Sequence, residues 1–367
     1  MLGDRLKQAR LSRHLSLREL AAACGVTHQA IHYYERGEDT PGSDVLICLA
    51  EALSVSIDYF FRTVSVQLGQ PAYRADCTLS DPKRVEIENH VYDKAERYLE
   101  TELLFEDEVV EPFKLPDSVK EPLLTVEDAE KRADSLRADW GLSHYPIDNL
   151  TELLEEHQVM VIYIDAVKGF DGCAYPDGDH RVVVVNGGVC GDRLRFDLAH
   201  ELGHLLLQMP NDWDNKKIEA AAHRFAEAFL VPAVAAQKEL GTHRKWITPR
   251  ELHDLKHKYG MAMRAWIYRA WHLGIVDTAT RGKLFGTVRK GGTKEAEPGT
   301  PYPCEQTNRH LRLVAHAYAD RIITQSRAAE LLAVPMDRID ALFTEDILQQ
   351  STNDRSASYC PLQGNRA

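Results

Sequence analysis

Two histidines one helical turn apart constrain the fold of this chain more than any other feature. Positions 200–204 read His-Glu-Leu-Gly-His, within a stretch whose apolar residues recur at helical spacing. Residues at i and i+4 share one helix face, about 5–6 Å apart at Cβ, so His200 and His204 can bind one metal ion. Glu201 is rotated by about 100° around the helix, which suits a general base for an attacking water. The motif predicts a buried helix with a catalytic zinc site.

The motif is short, and a chain with 16 histidines in 367 residues would contain it by chance in roughly one sequence in twenty. A downstream carboxylate strengthens the prediction. A catalytic zinc needs a third protein ligand and an open fourth position. Glu219 stands fifteen residues after His204, at the start of a second strongly helical segment that runs from Ile218 to Leu230. Glu219 is therefore a candidate third ligand beside His200 and His204.

Two further neighbours support a peptide-binding site. A strand precedes the motif helix by a short loop, and it contains Val182, Val183, Val184 and Val185. As an edge strand it would bind an extended substrate by β-addition. Gly203 costs up to about 1 kcal/mol relative to alanine in a helix, so we expect another backbone or the substrate to approach closely there.

His223 is a second candidate catalytic residue beside Glu201. It follows Glu219 by four residues and so lies on the same helix face. There it could orient a metal ligand or donate a hydrogen bond to an oxyanion. The alternative is a histidine that only packs in the core.

The N-terminal residues predict a helix, a glycine turn and a second helix. Ser16 is an N-cap candidate for the first helix, Gly25 lies in the turn, and Thr27 is an N-cap candidate for a helix that ends near Glu35. In a helix-turn-helix domain the second helix reads base edges and basic residues around it contact phosphates. The residues expected to contact DNA are Arg18, Thr27, His28, Gln29, His32, Tyr33 and Arg36, with Arg10 and Arg13 as further phosphate ligands.

The length of the chain allows two or three domains. We expect a multidomain, mainly α protein: an all-α helix-turn-helix domain, an α+β domain with a small sheet, and a helical C-terminal region. The predicted segments are 1–66 (helix-turn-helix), 67–124 (helical linker arm), 125–290 (metallopeptidase), 291–307 (linker), 308–350 (small helical region) and 351–367 (disordered tail).

Charge and cysteine usage narrow the setting. The net charge of −12 argues against nonspecific coating of nucleic acid, so any DNA contact is confined to one basic face. No apolar stretch approaches the ~20 residues of a membrane span. The seven cysteines form no CxxC pair, which is typical of reduced thiols. These features predict a cytoplasmic protein without a membrane partner.

The motif helix and the helix after it resemble a known family. Residues 195–207 read RFDLAHELGHLLL and residues 218–232 read IEAAAHRFAEAFLVP. Together they resemble the ImmA/IrrE zinc metallopeptidases, with similarity over about residues 125–285. The resemblance implies a zincin-like fold in which His200, His204 and Glu219 hold zinc. Because Glu227 lies on the same predicted helix as Glu219, it remains an alternative ligand.

The first 66 residues resemble the Xre/Cro repressors, from Leu20-Ala21 through Gly25-Val26-Thr27 to the closing Leu49–Leu53. The resemblance implies operator DNA as a partner and a homodimer on palindromic sites. Leu17 departs from the family, which often has a glutamine there that anchors the DNA backbone. Residues 322–335 echo the helix and turn of the first motif, and a packing or dimer-contact role is favoured for them over a second DNA contact.

Combined, these features predict a DNA-binding transcriptional regulator whose zinc endopeptidase domain cleaves a repressor or another regulatory protein in response to a signal. One alternative is a transcription factor whose zincin-like domain senses a ligand or a partner and has little or no peptidase activity. A third hypothesis is the antitoxin or regulatory half of a mobile-element module, and a role in stress response is also open.

Overall fold

A computed structural model describes residues 2–13, 15–53, 55, 57–62, 66, 68–73, 79–105, 113–164, 168–177, 180–292 and 297–343. The predicted tail, 351–367, lies outside the described residues. The described residues are mainly helical with one small sheet, which confirms the predicted fold class. None of their helices has both the length and the apolar character needed to cross a membrane.

Helices account for most of the regular structure. The α-helices of the described residues are α1 (Leu2–Ser12), α2 (Leu17–Ala23), α3 (His28–Arg36), α4 (Ser43–Leu53), α5 (Asp81–Glu102), α6 (Asp128–Asp139), α7 (Leu150–Glu156), α8 (Gly191–Leu206), α9 (Asn215–Leu230), α10 (Ala233–Leu240), α11 (Pro249–Tyr259), α12 (Met263–His272), α13 (Thr278–Gly291), α14 (Arg309–Ala319) and α15 (Gln325–Leu332). The strands are β1 (Ala72–Tyr73), β2 (Val159–Ile164), β3 (Gly172–Tyr175) and β4 (Arg181–Asn186). Short 3-10 helices span Ile57–Phe61, Leu103–Phe105, Asp117–Val119 and Met336–Arg338.

The chain forms two compact units that alternate along the sequence. Unit 1 consists of Met1–Gln67, Thr78–Glu111 and Asn308–Asp354. The described residues of unit 2 fall within Leu68–Cys77 and Pro112–Thr307. The helical arm predicted for 67–124 is therefore divided between the two units, and the C-terminal helices share a unit with the N-terminal ones.

Local hydrogen bonds explain the helix-turn-helix of unit 1. The Ser16 hydroxyl accepts from the Glu19 amide at 3.2 Å and the Glu19 carboxylate accepts from the Ser16 amide at 2.7 Å, which is a capping box at the start of α2. Gly25 has a φ of +64°, the left-handed conformation that favours glycine, and so reverses the chain. Thr27 then caps α3 by accepting from the Ala30 amide at 3.1 Å. Sequence alone predicted both caps and the turn.

Buried ion pairs attach α5 to the N-terminal helices within unit 1. Glu96 of α5 is fully buried, and burial raises the pKa of its carboxyl group. The Arg5 guanidinium of α1 donates to it. Arg62, also buried, lies 2.7 Å from the Asp93 carboxylate on the same helix. Because a buried charge without its partner is costly, α5 is a structural part of unit 1.

The C-terminal helices α14 and α15 pack on the same ion-paired helix, α5. Arg97 of α5 donates to the Leu331 carbonyl at 3.2 Å, and Arg327 of α15 pairs with Glu100. Pro335, the last residue of the segment that echoes the first helix and turn, is the N-cap of a 3-10 helix of three residues. The described part of the C-terminal region thus contributes packing to unit 1.

Unit 2 is built around a small mixed sheet with the strand order β1-β3-β4-β2. β4 pairs in parallel with β2 and antiparallel with β3, and β3 pairs antiparallel with β1. The metal-motif helix α8 packs on β3 and β4, and α9 packs on α8. The predicted substrate edge strand, formed by Val182, Val183, Val184 and Val185, is therefore wrong. These residues lie in β4, whose backbone groups are already paired with a strand on each side, so no peptide can add there.

The described part of the predicted linker 291–307 is packed into unit 2. Glu305 accepts hydrogen bonds from the Leu150 and Thr151 amides at 3.0 and 2.8 Å, so it caps α7 from a distant part of the sequence. It also pairs with Arg195 of α8, whose side chain is fully buried. Glu297 caps α12 in the same way through the Met263 amide at 2.8 Å. These contacts fix the N-terminal half of the motif helix.

One half-buried histidine, His310, makes the stability of unit 1 depend on pH. Burial, followed by the positive charges of Arg97 and Lys94, lowers the pKa of His310 to about 3. Its Nε2 lies 3.0 Å from the Thr101 hydroxyl. A histidine with a lowered folded-state pKa binds protons more tightly when unfolded. Its contribution to stability is therefore complete above pH 6.5 and is lost as the pH falls from 6.5 toward 3.

We expect the free energy of unfolding of unit 1 to fall more steeply with acid in the wild type than in His310→Gln. One proton per unfolding event gives up to about 1.4 kcal/mol per pH unit, or about 2 kcal/mol between pH 6.5 and 5. Amide hydrogen exchange in α14 measures this, with intrinsic rates corrected for pH. Equal losses in the two proteins would show that His310 is not the titrating group.

Candidate functional site

The site is formed where α8 and α9 pack closely against each other. His200 and His204 lie on α8, and Glu219 lies in the first half of α9. A Cβ atom at Gly203 would lie 3.2 Å from the Phe225 ring and 3.4 Å from the Ala222 Cα, so the glycine lets α9 approach α8. The predicted close backbone approach at Gly203 therefore comes from α9.

Three ligand side chains converge at the distances that a tetrahedral zinc requires. His200 Nε2 lies 3.1 Å from His204 Nε2 and 3.2 Å from Glu219 Oε2. His204 Nε2 lies 3.5 Å from Glu219 Oε1. Bonds of about 2.0–2.1 Å in a tetrahedron separate the ligand atoms by about 3.3 Å. Two imidazoles and one carboxylate are also a usual donor set of catalytic zinc, so the three residues fit this metal.

The electrostatics of Glu219 favour its charged form. Burial would raise the pKa of this carboxyl group, but hydrogen bonds and charge from His200 and His204 lower it well below the ordinary range. Glu227, the alternative ligand on α9, accepts a hydrogen bond from His272 Nδ1 at 2.7 Å. Its side chain is 5% exposed, against 20% for Glu219. The two glutamates of α9 thus have different partners.

Glu201 lies between the motif helix and the sheet. It is fully buried on α8, and a Cβ atom at Gly172 of β3 would lie only 2.8 Å from Glu201 Oε1. The same atom would lie 2.9 Å from the Val184 carbonyl. Only glycine at 172 leaves room for the carboxylate. Sequence reasoning missed Gly172 and β3, although the closely spaced small residues of Gly-Cys-Ala-Tyr are a signal for a close approach.

His223 lies beside the three converging side chains. Its ring centroid is 4.4 Å from that of His200, and it has a ring nitrogen within 4.8 Å of ligand atoms on His200 and Glu219. Its Nδ1 lies 2.7 Å from the Glu219 carbonyl oxygen. A carbonyl only accepts, so Nδ1 carries the proton and, in the neutral ring, Nε2 carries the lone pair. Neutral His223 can therefore accept a hydrogen bond through Nε2, whereas donation to an oxyanion requires its charged form.

The predicted DNA-contacting residues lie at the surface of the helix-turn-helix. Those that are exposed are Arg18, Thr27, His28, Gln29, His32, Tyr33 and Arg36. Arg36 pairs with Glu38 at 2.8 Å on the surface. The further prediction that Arg10 contacts phosphate is wrong, because its guanidinium is buried and binds the Glu35 carboxylate at 2.5 and 3.0 Å.

Both halves of this architecture match known families. The helix-turn-helix family matches residues 6–60, and the IrrE N-terminal-like domain, a peptidase family, matches residues 154–270. A prophage-derived HTH-type transcriptional regulator of Bacillus subtilis, YonR, is 32% identical over 83 residues, which are 23% of this chain and 72% of the relative. The chain belongs to the HTH-type transcriptional regulators. The resemblances of the N-terminal residues and of the region around the metal motif are thereby confirmed, and this regulator joins its helix-turn-helix to an IrrE N-terminal-like domain.

Other relatives of the regulator share only its N-terminal part. A transcriptional regulator in the ATPase CF(0) region of Rhodospirillum rubrum is 38% identical over 72 residues, which are 20% of this chain and 65% of the relative. The regulator RP497 of Rickettsia prowazekii is 38% identical over 61 residues, 17% of this chain and 47% of the relative. The regulator thus spans about half to two thirds of the length of these relatives.

Two solved structures align along most of the regulator with low similarity. Bacillus thuringiensis PlcR, in complex with the peptide PapR7 and DNA, has 14% identity and a TM-score of 0.18, with 96% of each chain covered. ComR from S. thermophilus, in complex with DNA and its signalling peptide ComS, has 13% identity and a TM-score of 0.22, with 96% of this chain and 95% of that chain covered. Such TM-scores are too low to indicate a shared overall fold.

We expect the purified regulator to bind about one zinc per chain and His204→Ala to lose it, because two remaining ligands do not hold a zinc site. Glu219→Gln should weaken zinc binding by about tenfold or more. The matched control is Glu227→Gln, which alters the other glutamate of α9 and should leave zinc affinity unchanged. Competition with a fluorescent chelator measures the affinity. Full zinc retention in His204→Ala would contradict the proposed zinc site. A loss of zinc affinity in Glu227→Gln alone would show that Glu227, and not Glu219, is the third ligand.

Proposed function

We propose that this protein is a DNA-binding transcriptional regulator with a zinc-dependent endopeptidase that cleaves a repressor or another regulatory protein. The observation that carries the proposal is the convergence of His200, His204 and Glu219 at 3.1–3.5 Å beside the buried Glu201. The match of residues 154–270 to a peptidase family supports it.

In this proposal His200, His204 and Glu219 hold zinc. When bound, zinc would supply a Lewis acid that polarises the scissile carbonyl and acidifies a water. One side of the three ligand side chains is closed to solvent, because His200 is fully buried. The other side is partly open, because His204 and Glu219 keep some exposure. A substrate would approach from that partly open side. Exclusion of water strengthens the electrostatic interactions of the site.

Glu201 is the proposed general base. Its carboxylate would take a proton from the attacking water and later deliver that proton to the amine of the leaving peptide, so that no net proton is consumed within the step. Gly172 lets the carboxylate lie directly against β3. His223 is proposed as an auxiliary catalytic residue that would bind the water or the substrate. With Nδ1 bonded to the Glu219 carbonyl, its Nε2 would accept a hydrogen bond from the water or substrate, and its charged form would donate to an oxyanion.

The helix-turn-helix would bring the peptidase to operator DNA. In this proposal the exposed His28, Gln29 and His32 of α3 would contact base edges, and the exposed Arg18 and Arg36 would contact phosphates. We propose a homodimer on a palindromic operator, because two-fold symmetric sites match the symmetry of paired helix-turn-helix domains. Such a regulator acts in the cytoplasm, where its DNA is.

We expect Gln29→Ala to lower the preference for the operator, and Arg18→Ala to weaken binding to all DNA sequences alike. Loss of an amide contact to a base is worth about 1–3 kcal/mol of discrimination, whereas loss of one phosphate contact reduces the salt slope by about one. Selection from a genomic fragment library gives the operator, and titrations at several salt concentrations separate the two effects. Arg10→Lys is a poor probe, since Arg10 is bound to Glu35. If both variants bind like the wild type, α3 is not the recognition helix.

The peptidase is tested in a lysate of the native host with zinc-loaded wild type and the Glu201→Gln variant. We expect the wild type to generate one or a few new peptide N-termini, and Glu201→Gln to generate none while it retains zinc, because only the proton transfer is removed. N-terminal proteomics identifies the cleaved bond. Identical N-termini with both proteins would reject the peptidase and favour the hypothesis of a zincin-like sensor domain.

A further inference from the structure

The outer edge of β3 belongs to the strand whose Gly172 lies against the proposed catalytic base, Glu201. β3 contacts α8, and its first residue, Gly172, leaves a gap that the Glu201 carboxylate fills. The inner edge of β3 is paired with β4 from Gly172 to Tyr175. A peptide that adds to this sheet beside Glu201 must therefore use the outer edge of β3, where backbone N–H and C=O groups would recognise an extended segment.

A segment of the chain itself already lies on this edge. Ala72 is opposite Ala174 and Tyr73 is opposite Cys173, in antiparallel register. Farther along, the Gly69 amide donates to the Asp177 carbonyl at 3.0 Å. Leu68–Tyr73, named the edge segment below, thus follows β3 along its length.

The fit of the edge segment is close at one point and weak elsewhere. A Cβ atom at Gly69 would lie 2.4 Å from the Asp177 Cβ, so only glycine fits there. By contrast, β1 comprises two of the described residues, whereas β2 and β4 have six each. Pro71 has no N–H to donate to β3. Each hydrogen bond contributes only about 1 kcal/mol net to the free energy of pairing. Another peptide can therefore replace a segment that is paired over so few residues.

We propose that the edge segment is a built-in competitor for the peptide substrate: both bind antiparallel to the outer edge of β3, and a substrate must displace Leu68–Tyr73 to reach Glu201. The inference rests on the proposed peptidase function and names the form of its substrate. That substrate is an extended peptide with a glycine opposite Asp177. A tethered segment has an effective concentration on the order of mM, so a free peptide at micromolar concentration is excluded until the segment leaves.

The probe is a fluorescein-labelled peptide with the sequence of residues 68–73, Leu-Gly-Gln-Pro-Ala-Tyr. It is titrated against the full-length, zinc-loaded Glu201→Gln protein, so that nothing is cleaved. Gly69→Val in that background should expel the edge segment, because the new side chain overlaps Asp177. We expect Gly69→Val to bind the probe at least tenfold more tightly than its parent does. Gly282→Val is the matched control, since a Cβ at Gly282 meets nothing within 4 Å.

Hydrogen exchange over residues 68–73 and 170–177 shows whether the segment has left, and zinc content shows whether unit 2 is folded. Zinc retained, faster exchange at 68–73 and no gain in probe binding would overturn the proposal. Equal binding by the parent would overturn it as well. Since neither measurement requires turnover, zinc retention with failed probe binding rejects the competitor and leaves the peptidase proposal standing.

A second variant gives a result even if Gly69→Val does not fold. Tyr73→Cys in the Glu201→Gln background places a thiol opposite the native Cys173, and oxidation joins the edge segment to β3. We expect the oxidised protein to bind no probe even at millimolar concentration, and reduction to restore the weak binding of the parent. Probe binding that is the same in the oxidised and reduced proteins would place the peptide elsewhere and reject the proposal.

Discussion

The packing of α9 against α8 at Gly203 is the constraint on which the rest of the site depends. The proposed zinc ligands come from two helices, and their atoms must approach to within about 3.3 Å of one another to bind one zinc. A Cβ atom at position 203 would lie 3.2 Å from the Phe225 ring and 3.4 Å from the Ala222 Cα, so a side chain there would require its neighbours on α9 to shift by a few tenths of an ångström. The distances of 3.1–3.5 Å among the ligand atoms of His200, His204 and Glu219 are therefore a consequence of helix packing.

A second layer of buried charge orients α8 from outside. Arg195 is fully buried on this helix, where it donates to the Ile147 carbonyl at 2.7 Å and pairs with Glu305. Lys256 of α11 lies 3.2 Å from Asp192, in the first turn of α8. Buried pairs of this kind contribute little net stability but disfavour any other arrangement, since each misplaced charge would lose its partner. They hold the rotation of α8, and so the direction in which His200 and His204 point.

Sequence predicted the parts of the fold that are local. The Ser16 and Thr27 caps and the His200–His204 spacing depend on neighbours within four residues, which periodicity reveals. The predicted edge position of the valine run is wrong, because the run lies in the central strand β4. A continuous apolar strand is typical of such a position, with both faces of the sheet covered. The cap that Glu305 provides to α7 joins residues 154 apart in sequence, which no local pattern encodes. Gly172 acquires its importance only when the sheet meets α8.

The alternation of the two units along the chain sets the smallest piece that can be moved or removed intact. A fragment that ends at residue 66 keeps α1 to α4 but deprives Arg5 of Glu96 and Arg62 of Asp93. A fragment that ends before Asn308 likewise removes the helices that pack on α5. The helix-turn-helix segment is therefore not an independently folding domain, and it cannot be transferred to another protein by joining residues 1–66 to it. Because unit 1 is built from three separate segments of the chain, truncation at a single position does not give a complete unit 1.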